Sequence, residues 1–176
     1  MGPLRTGRLL LREWHPADRE PFAALNADPE VMRHFPAPLD RAASDALADR
    51  IEAGFAERGW GLWAVDLDGE FLGFTGLNPV PDDVAGAAGV GGMEVGWRLA
   101  RHAWGRGYAT EAATEAVRFA RDDLGLAEVV SFTAATNARS RAVMERIGLV
   151  RDRDFDHPRL APADPLRPHV LYRSLW

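Results

Sequence analysis

Met93-Glu94-Val95-Gly96-Trp97-Arg98-Leu99, followed by Trp104-Gly105-Arg106-Gly107-Tyr108-Ala109-Thr110-Glu111-Ala112, decides how the rest of the chain is read. Met93, Val95, Trp97 and Leu99 alternate with Glu94, Gly96 and Arg98, the period of two expected of a strand. Beyond Gly107, Ala109, Ala112, Ala113, Ala116 and Ala120 recur at helical spacing. The segment therefore predicts a strand, a glycine turn and the opening of a helix. Gly105 and Gly107 allow backbone conformations closed to other residues and close approach of a ligand. The first helical turn leaves N–H groups without intrahelical acceptors, which suits phosphate oxygens. A simple β-to-α connection reads the same way, so the turn alone does not settle the ligand.

Spacing separates the cofactors that use such a turn. A dinucleotide fold places a third glycine three residues after the second, where Thr110 stands here. A nucleotide-phosphate loop requires Gly-Lys-Ser/Thr, and the chain contains no lysine. His102-Ala103-Trp104-Gly105-Arg106-Gly107 instead resembles the acyl-coenzyme A pyrophosphate loop of the GNAT N-acetyltransferase superfamily, written Gln/Arg-x-x-Gly-x-Gly/Ala, with His102 departing at the first position. Thr136-Asn137-Ala138-Arg139-Ser140-Arg141-Ala142-Val143-Met144-Glu145-Arg146-Ile147-Gly148-Leu149 resembles the second cofactor-side motif of that family. Read on its own, it is a capped helix: Asn137 suits the N-cap, and Gly148 suits the left-handed position past the end. Thr6-Gly7-Arg8-Leu9-Leu10-Leu11-Arg12, with His15-Pro16-Ala17-Asp18, resembles the opening of the RimJ/RimL-like branch, the ribosomal-protein N-terminal acetyltransferases.

The resemblance implies an α/β (α+β) fold. It consists of a mostly antiparallel sheet of about six to seven strands, helices on both faces, and one parallel pair splayed apart at the cofactor site. It covers residues 1–176 as a single domain. It implies acetyl-CoA as cosubstrate. Val95, Gly96, Trp97, Arg98 and Leu99 would pair with its pantetheine arm. His102, Trp104, Gly105, Arg106, Gly107, Tyr108, Ala109 and Thr110 would hold its pyrophosphate, with Asn137, Ser140 and Arg141 completing that side. The acceptor would be a primary amine, on a peptide N-terminus or a small molecule, bordered by Met32, Phe35 and Leu39.

Acetyl transfer needs a neutral amine, charge stabilisation on the carbonyl oxygen and a proton for the leaving thiolate. Glu94 is the candidate base: a carboxylate is unusual in a central strand, and this one shares a face with Gly96 and Arg98. Burial would raise its pKa and pairing with Arg98 would lower it, and a structural ion pair is the alternative role. Many family members place a tyrosine seven residues after the motif asparagine, where this chain has Met144. Ser140 occupies the position that RimJ/RimL-like enzymes are thought to use as the acid. Its alternative is completion of the helix cap.

Composition sets the outer bounds. The chain is 47% hydrophobic with a formal charge of −5, which argues against a general nucleic-acid binder. The absence of cysteine excludes a thiol nucleophile and thiolate zinc sites. His15, His34, His102, His157 and His169 show no paired metal spacing, so no metal is expected. No apolar run is long enough to cross a membrane, and Leu9 to Leu11 is too short for a signal peptide, so a cytoplasmic protein is expected. Arg98, Arg101, Arg106, Arg139 and Arg141 concentrate positive charge around both motifs.

Elsewhere the pattern predicts a strand at Leu9–Arg12, helices at Ala17–Asn26 and Arg41–Glu57, and a loop enforced by Pro29, Pro36 and Pro38. Gly61–Leu67 and Glu70–Leu77 flank Asp68-Gly69 as a hairpin. Asn78–Gly92 reads as a mobile loop, Val129–Thr133 as a strand and His169–Arg173 as the closing strand. Asp154–Pro168 reads as a long loop that hints at a binding role or a homodimer contact. The function expected is an acetyl-CoA-dependent N-acetyltransferase. The alternatives are a coenzyme A-binding sensor or interaction module with little turnover and, more remotely, a nucleotide-binding protein.

Overall fold

A computed structural model describes residues 2–176. In chain order the elements are β1 (Leu4–Arg5), β2 (Leu10–Arg12), α1 (Arg19–Ala27), α2 (Arg41–Arg58), β3 (Leu62–Leu67), β4 (Glu70–Pro79), α3 (Asp82–Ala88), β5 (Met93–Leu99), α4 (Tyr108–Asp122), β6 (Val130–Ala134), α5 (Ala138–Arg146), β7 (Val150–Asp156) and β8 (Pro168–Arg173). Local chemistry explains several boundaries. The Asp40 carboxylate accepts from the Ala43 N–H to start α2, and Gly59 at φ 75° ends it in the left-handed conformation. Asp68 at φ 52° and Gly69 at φ 89° make the two-residue turn between β3 and β4 that the Asp-Gly pair predicts.

All eight strands form one sheet in the order β1-β2-β3-β4-β5-β6-β8-β7. Every neighbouring pair is antiparallel except β5 and β6, which touch at a single register point, Glu94 opposite Val130. By contrast, β4 and β5 stay paired from Pro79 opposite Met93 to Gly73 opposite Leu99. The parallel strands therefore separate as they run toward their C-terminal ends, and α4 and α5 begin at those ends. α4 packs on one face through Phe119, whose ring meets Trp63 edge-on at 5.2 Å. α1 packs on the other face, where Phe22 meets Phe74 at 6.0 Å. Register puts Glu94, Gly96 and Arg98 on this second face, beside Asn78, Gly76 and Phe74 of β4.

Two stretches differ from the sequence-based expectation. Asn78–Gly92 is not a single loop: β4 runs on to Pro79, and α3 packs Val84 and Ala88 against Val130, Phe155 and Leu171 in a second, smaller core. The loop expected at Asp154–Pro168 is shorter, because β7 extends to Asp156 and β8 begins at Pro168. The strand count is eight rather than six to seven, the short β1 and the charged β7 being unforeseen.

Candidate active site

The glycine turn presents main chain. Gly105 and Gly107 hold φ of 73° and 80°, and Gly107 is the N-cap of α4. Among the described residues, none of the N–H groups from Gly105 to Thr110 has a hydrogen-bond acceptor, the first satisfied one being Glu111, which donates to the Gly107 carbonyl at 3.0 Å. A row of unpaired donors at the positive end of a helix fits a diphosphate. Arg98, Arg101, Arg106, Arg139 and Arg141 form no ion pair with a carboxylate among the described residues, whereas most other arginines do. Arg139 instead stacks over Trp104 at 4.5 Å, tying the start of α5 to the glycine turn.

A clamp from the N-terminus fixes this turn, a feature the sequence pattern did not reveal. Glu111 accepts from Thr6 Oγ1 at 2.6 Å, from the Arg8 N–H at 2.8 Å and from Arg8 Nε at 2.7 Å. The same guanidinium donates to the Arg106 carbonyl at 3.0 Å and lies 4.6 Å over the Tyr108 ring. These bonds lower the pKa of Glu111 against the opposing effect of burial. Arg8 is thus a positioning residue for the glycine turn. Arg8→Ala is expected to weaken coenzyme A binding about tenfold, measured by calorimetry, while Arg8→Lys, which keeps the charge but not the fork, recovers only part of it.

Glu94 lies over Gly96, its Oε1 3.7 Å from where a Cβ on that glycine would sit. The residue is partly exposed, but its carboxyl group has no hydrogen bond or counterion among the described residues, and desolvation raises its pKa to about 8. The alternative of an ion pair with Arg98 is not realised. Arg98 donates to Asn26 Oδ1 at 2.6 Å and lies 4.2 Å over Phe35 and 5.5 Å over Phe74. Burial lowers its own pKa to about 10. Asn26 is fully buried and also donates to Ser44 Oγ at 2.9 Å and accepts from the Leu39 N–H at 2.9 Å. Through Asn26 the loop between α1 and α2 is tied to β5.

The three residues of that loop expected to border the acceptor differ in exposure. Phe35 is 38% exposed and Leu39 is partly exposed, but Met32 is 3% exposed and belongs to the interior, where an apolar side chain following Val31 is best buried. His34 of the same loop approaches Thr136 Oγ1 at 3.5 Å, and burial lowers its pKa. His102 is turned to Glu70, with Nε2 2.9 Å from Oε1. Tyr108 is buried at 8% exposure, so toward the glycine turn it offers its N–H.

Asn137 caps α5, with Oδ1 accepting from the Ser140 N–H at 3.3 Å. Its amide nitrogen donates to Thr133 Oγ1 at 2.9 Å and to Ser140 Oγ at 3.1 Å. The Ser140 hydroxyl is therefore an acceptor in the cap and keeps its own proton for another partner. Met144 is 1% exposed and faces the core, so a tyrosine there would overpack it. Tyr172, also buried, donates its hydroxyl to Glu145 Oε1 at 3.0 Å. Ser140→Ala is expected to lower kcat by roughly 10²-fold with a much smaller change in coenzyme A affinity. An unchanged kcat at saturating substrates leaves Ser140 with its capping role alone.

Comparison with known proteins agrees with this geometry. Residues 8–150 match the family described as acetyltransferase (GNAT) domain. The chain is 35% identical over 156 residues to FsC-acetyl coenzyme A-N(2)-transacetylase of Aspergillus fumigatus, covering 86% of this chain and 66% of that protein. An acetyltransferase structure from Agrobacterium tumefaciens superposes with a TM-score of 0.80 at 31% identity, over 100% of this chain and 95% of the other. RimL, the ribosomal L7/L12 α-N-protein acetyltransferase, in complex with coenzyme A, superposes at 0.76 over 98% of this chain and 97% of its own, but at 12% identity it shares the fold and does not assign the branch. The chain belongs to the GNAT acetyltransferase domain family.

Proposed function

We propose that the protein is an N-acetyltransferase that moves the acetyl group of acetyl-CoA to a primary amine. The observation that carries this reading is the row of unpaired N–H groups from Gly105 to Thr110, set at the mouth of the opening between β5 and β6. Gly105, Arg106 and Gly107, with the N–H groups of Tyr108, Ala109 and Thr110, hold the pyrophosphate. The β5 edge from Val95 to Leu99, released from β6, takes the pantetheine arm as an added strand. Trp104, Asn137 and Arg141 shape the remaining wall.

Glu94 takes a proton from the amine, directly or through water. The amine nitrogen then bonds to the acetyl carbonyl carbon, the C–S bond breaks, the thiolate receives a proton through the Ser140 hydroxyl, and Ser140 is reprotonated, directly or through water, by the proton that the nitrogen loses as the amide forms. Main-chain N–H groups of β5 stabilise the oxyanion. The products are an N-acetylated amine and coenzyme A with a free thiol. In this reading residues 1–176 act as one domain in the cytoplasm, the chain falls in the RimJ/RimL-like branch, and a protein α-amine is among its acceptors. The name of the Aspergillus relative supports an amine nitrogen as acceptor. Thiol release from acetyl-CoA over a panel of amines, with mass-spectrometric detection of the acetylated product, tests the proposal. If coenzyme A does not raise the melting temperature or bind in calorimetry, it fails.

A further inference from the structure

Beside the base, on the face that carries Glu94, lies a cavity of about 150 Å³ lined by Leu47, Arg50, Ile51, Arg58, Leu62 and Asn78. Asn78, which lines the cavity, is directly opposite Glu94 in the β4–β5 register, on the neighbouring strand and the same face of the sheet. The wall is α2, whose residues Leu47, Arg50, Ile51 and Arg58 recur at the spacing of one helical face.

Its charge is unbalanced. Arg50 is exposed and makes no ion pair or side-chain hydrogen bond among the described residues. Arg58 lies over Trp60 at 5.3 Å, in space left by Gly54, and its buried Nε has no acceptor. Its one carboxylate contact is Glu57 at 3.3 Å, where the Glu57 side chain is 77% exposed, a pairing that solvent largely screens. Two guanidinium groups, one with an unmet buried donor, line an otherwise largely apolar cavity in a protein of net charge −5. Such a site calls for an anion.

We propose that this cavity receives an acidic group of the acceptor, so that the amine acetylated bears a carboxylate or phosphate a few bonds from its nitrogen. Arg58 and Arg50 hold the anion, and Asn78 lies between it and Glu94. The inference rests on the transferase reading above and adds the class of acceptor.

The test uses product-like probes on the full chain saturated with coenzyme A: N-acetylglycine, N-acetyl-O-phosphoethanolamine and the neutral N-acetylglycinamide, compared by calorimetry. At least one anionic probe is expected to bind about tenfold or more tightly than the amide, and which of the two does so identifies the acidic group. Arg58→Gln and Arg50→Gln are each expected to erase most of that preference. Arg50 is exposed, so its variant keeps the test valid if Arg58→Gln folds poorly. Equal binding of acidic and neutral probes, binding of none, or a preference that survives in the folded variants overturns the proposal. Thiol release with the corresponding free amines separates the two readings. Turnover of neutral amines as fast as acidic ones removes the anion site and leaves the transferase, whereas an anion preference without any turnover does the reverse.

Discussion

Replacing Gly107 by valine is expected to abolish coenzyme A binding in a protein that still folds. Gly107 caps α4 at φ 80°, a conformation that a β-branched residue adopts at a cost of about 1–3 kcal/mol. A Cβ there would meet the Arg8 guanidinium at an ordinary contact distance of 3.5 Å, so the strain lies in the backbone conformation itself. Against a total stability of roughly 5–15 kcal/mol, that strain does not unfold the domain. The chain relieves it by rotating the turn, which disperses the donors from Gly105 to Thr110. Loss of affinity by about 100-fold or more in calorimetry, with a preserved circular dichroism spectrum, is the expected result. A folded variant with unchanged affinity would show that the anion cradle lies elsewhere.

Glu94→Gln is expected to lower the rate by about 10²–10⁴-fold near its optimum and, in the same variant, to raise stability at alkaline pH. With a pKa of about 8, the folded protein holds the Glu94 proton at neutral pH, so the wild-type rate should climb as pH rises through that value. The variant lacks this inflection and follows only the titration of the acceptor amine, so it regains rate only as the pH approaches the amine's own pKa. Stability has the opposite sign. Below the ordinary value of 4.5 the group is protonated in both folded and unfolded chains and costs nothing. Between 4.5 and about 8 the unfolded chain releases a proton that the folded chain retains, so wild-type stability falls as pH rises, and above about 8 the loss is complete. The loss is of the order of a few kcal/mol. Melting curves and kcat/KM profiles of both proteins, with an acceptor whose amine pKa lies well away from 8, provide the two readouts. Parallel profiles with equal kcat/KM would reduce Glu94 to a structural residue.

Much of the frame was legible because its signals are local. Periodicity alone delimited β5 as Met93–Leu99, and Asp68-Gly69 announced its hairpin. Asn137 and Gly148 marked the ends of α5, the latter at φ 86°. β7 escaped because Val150-Arg151-Asp152-Arg153-Asp154-Phe155-Asp156 buries only Phe155. An edge strand needs little apolar alternation, and charges protect its open side. α3 escaped because small residues, Val84-Ala85-Gly86-Ala87-Ala88, read as loop until the facing Phe155 and Leu171 are known. In the site, residue types and spacing identified Glu94, the glycine turn and Ser140 as candidates. They did not reveal that Arg98 bonds to Asn26 instead of Glu94, nor that Arg8 reaches Glu111 across the fold, because those pairings depend on contacts distant in sequence.

The single bridge between Glu94 and Val130 makes the sheet, mechanically, two sheets. β1 to β5 form one ladder and β6, β8 and β7 another, and apart from that bridge they are coupled through helices, where α3 packs on β7 and where α4 meets α5. A molecule laid along the free edge of β5 supplies the pairing that the polypeptide leaves out there. In the proposed reading, cosubstrate would then be part of the architecture: each cycle of binding and release would close and reopen a gap in the hydrogen-bonded framework, and rigidity would be a property of the occupied enzyme rather than of the chain alone.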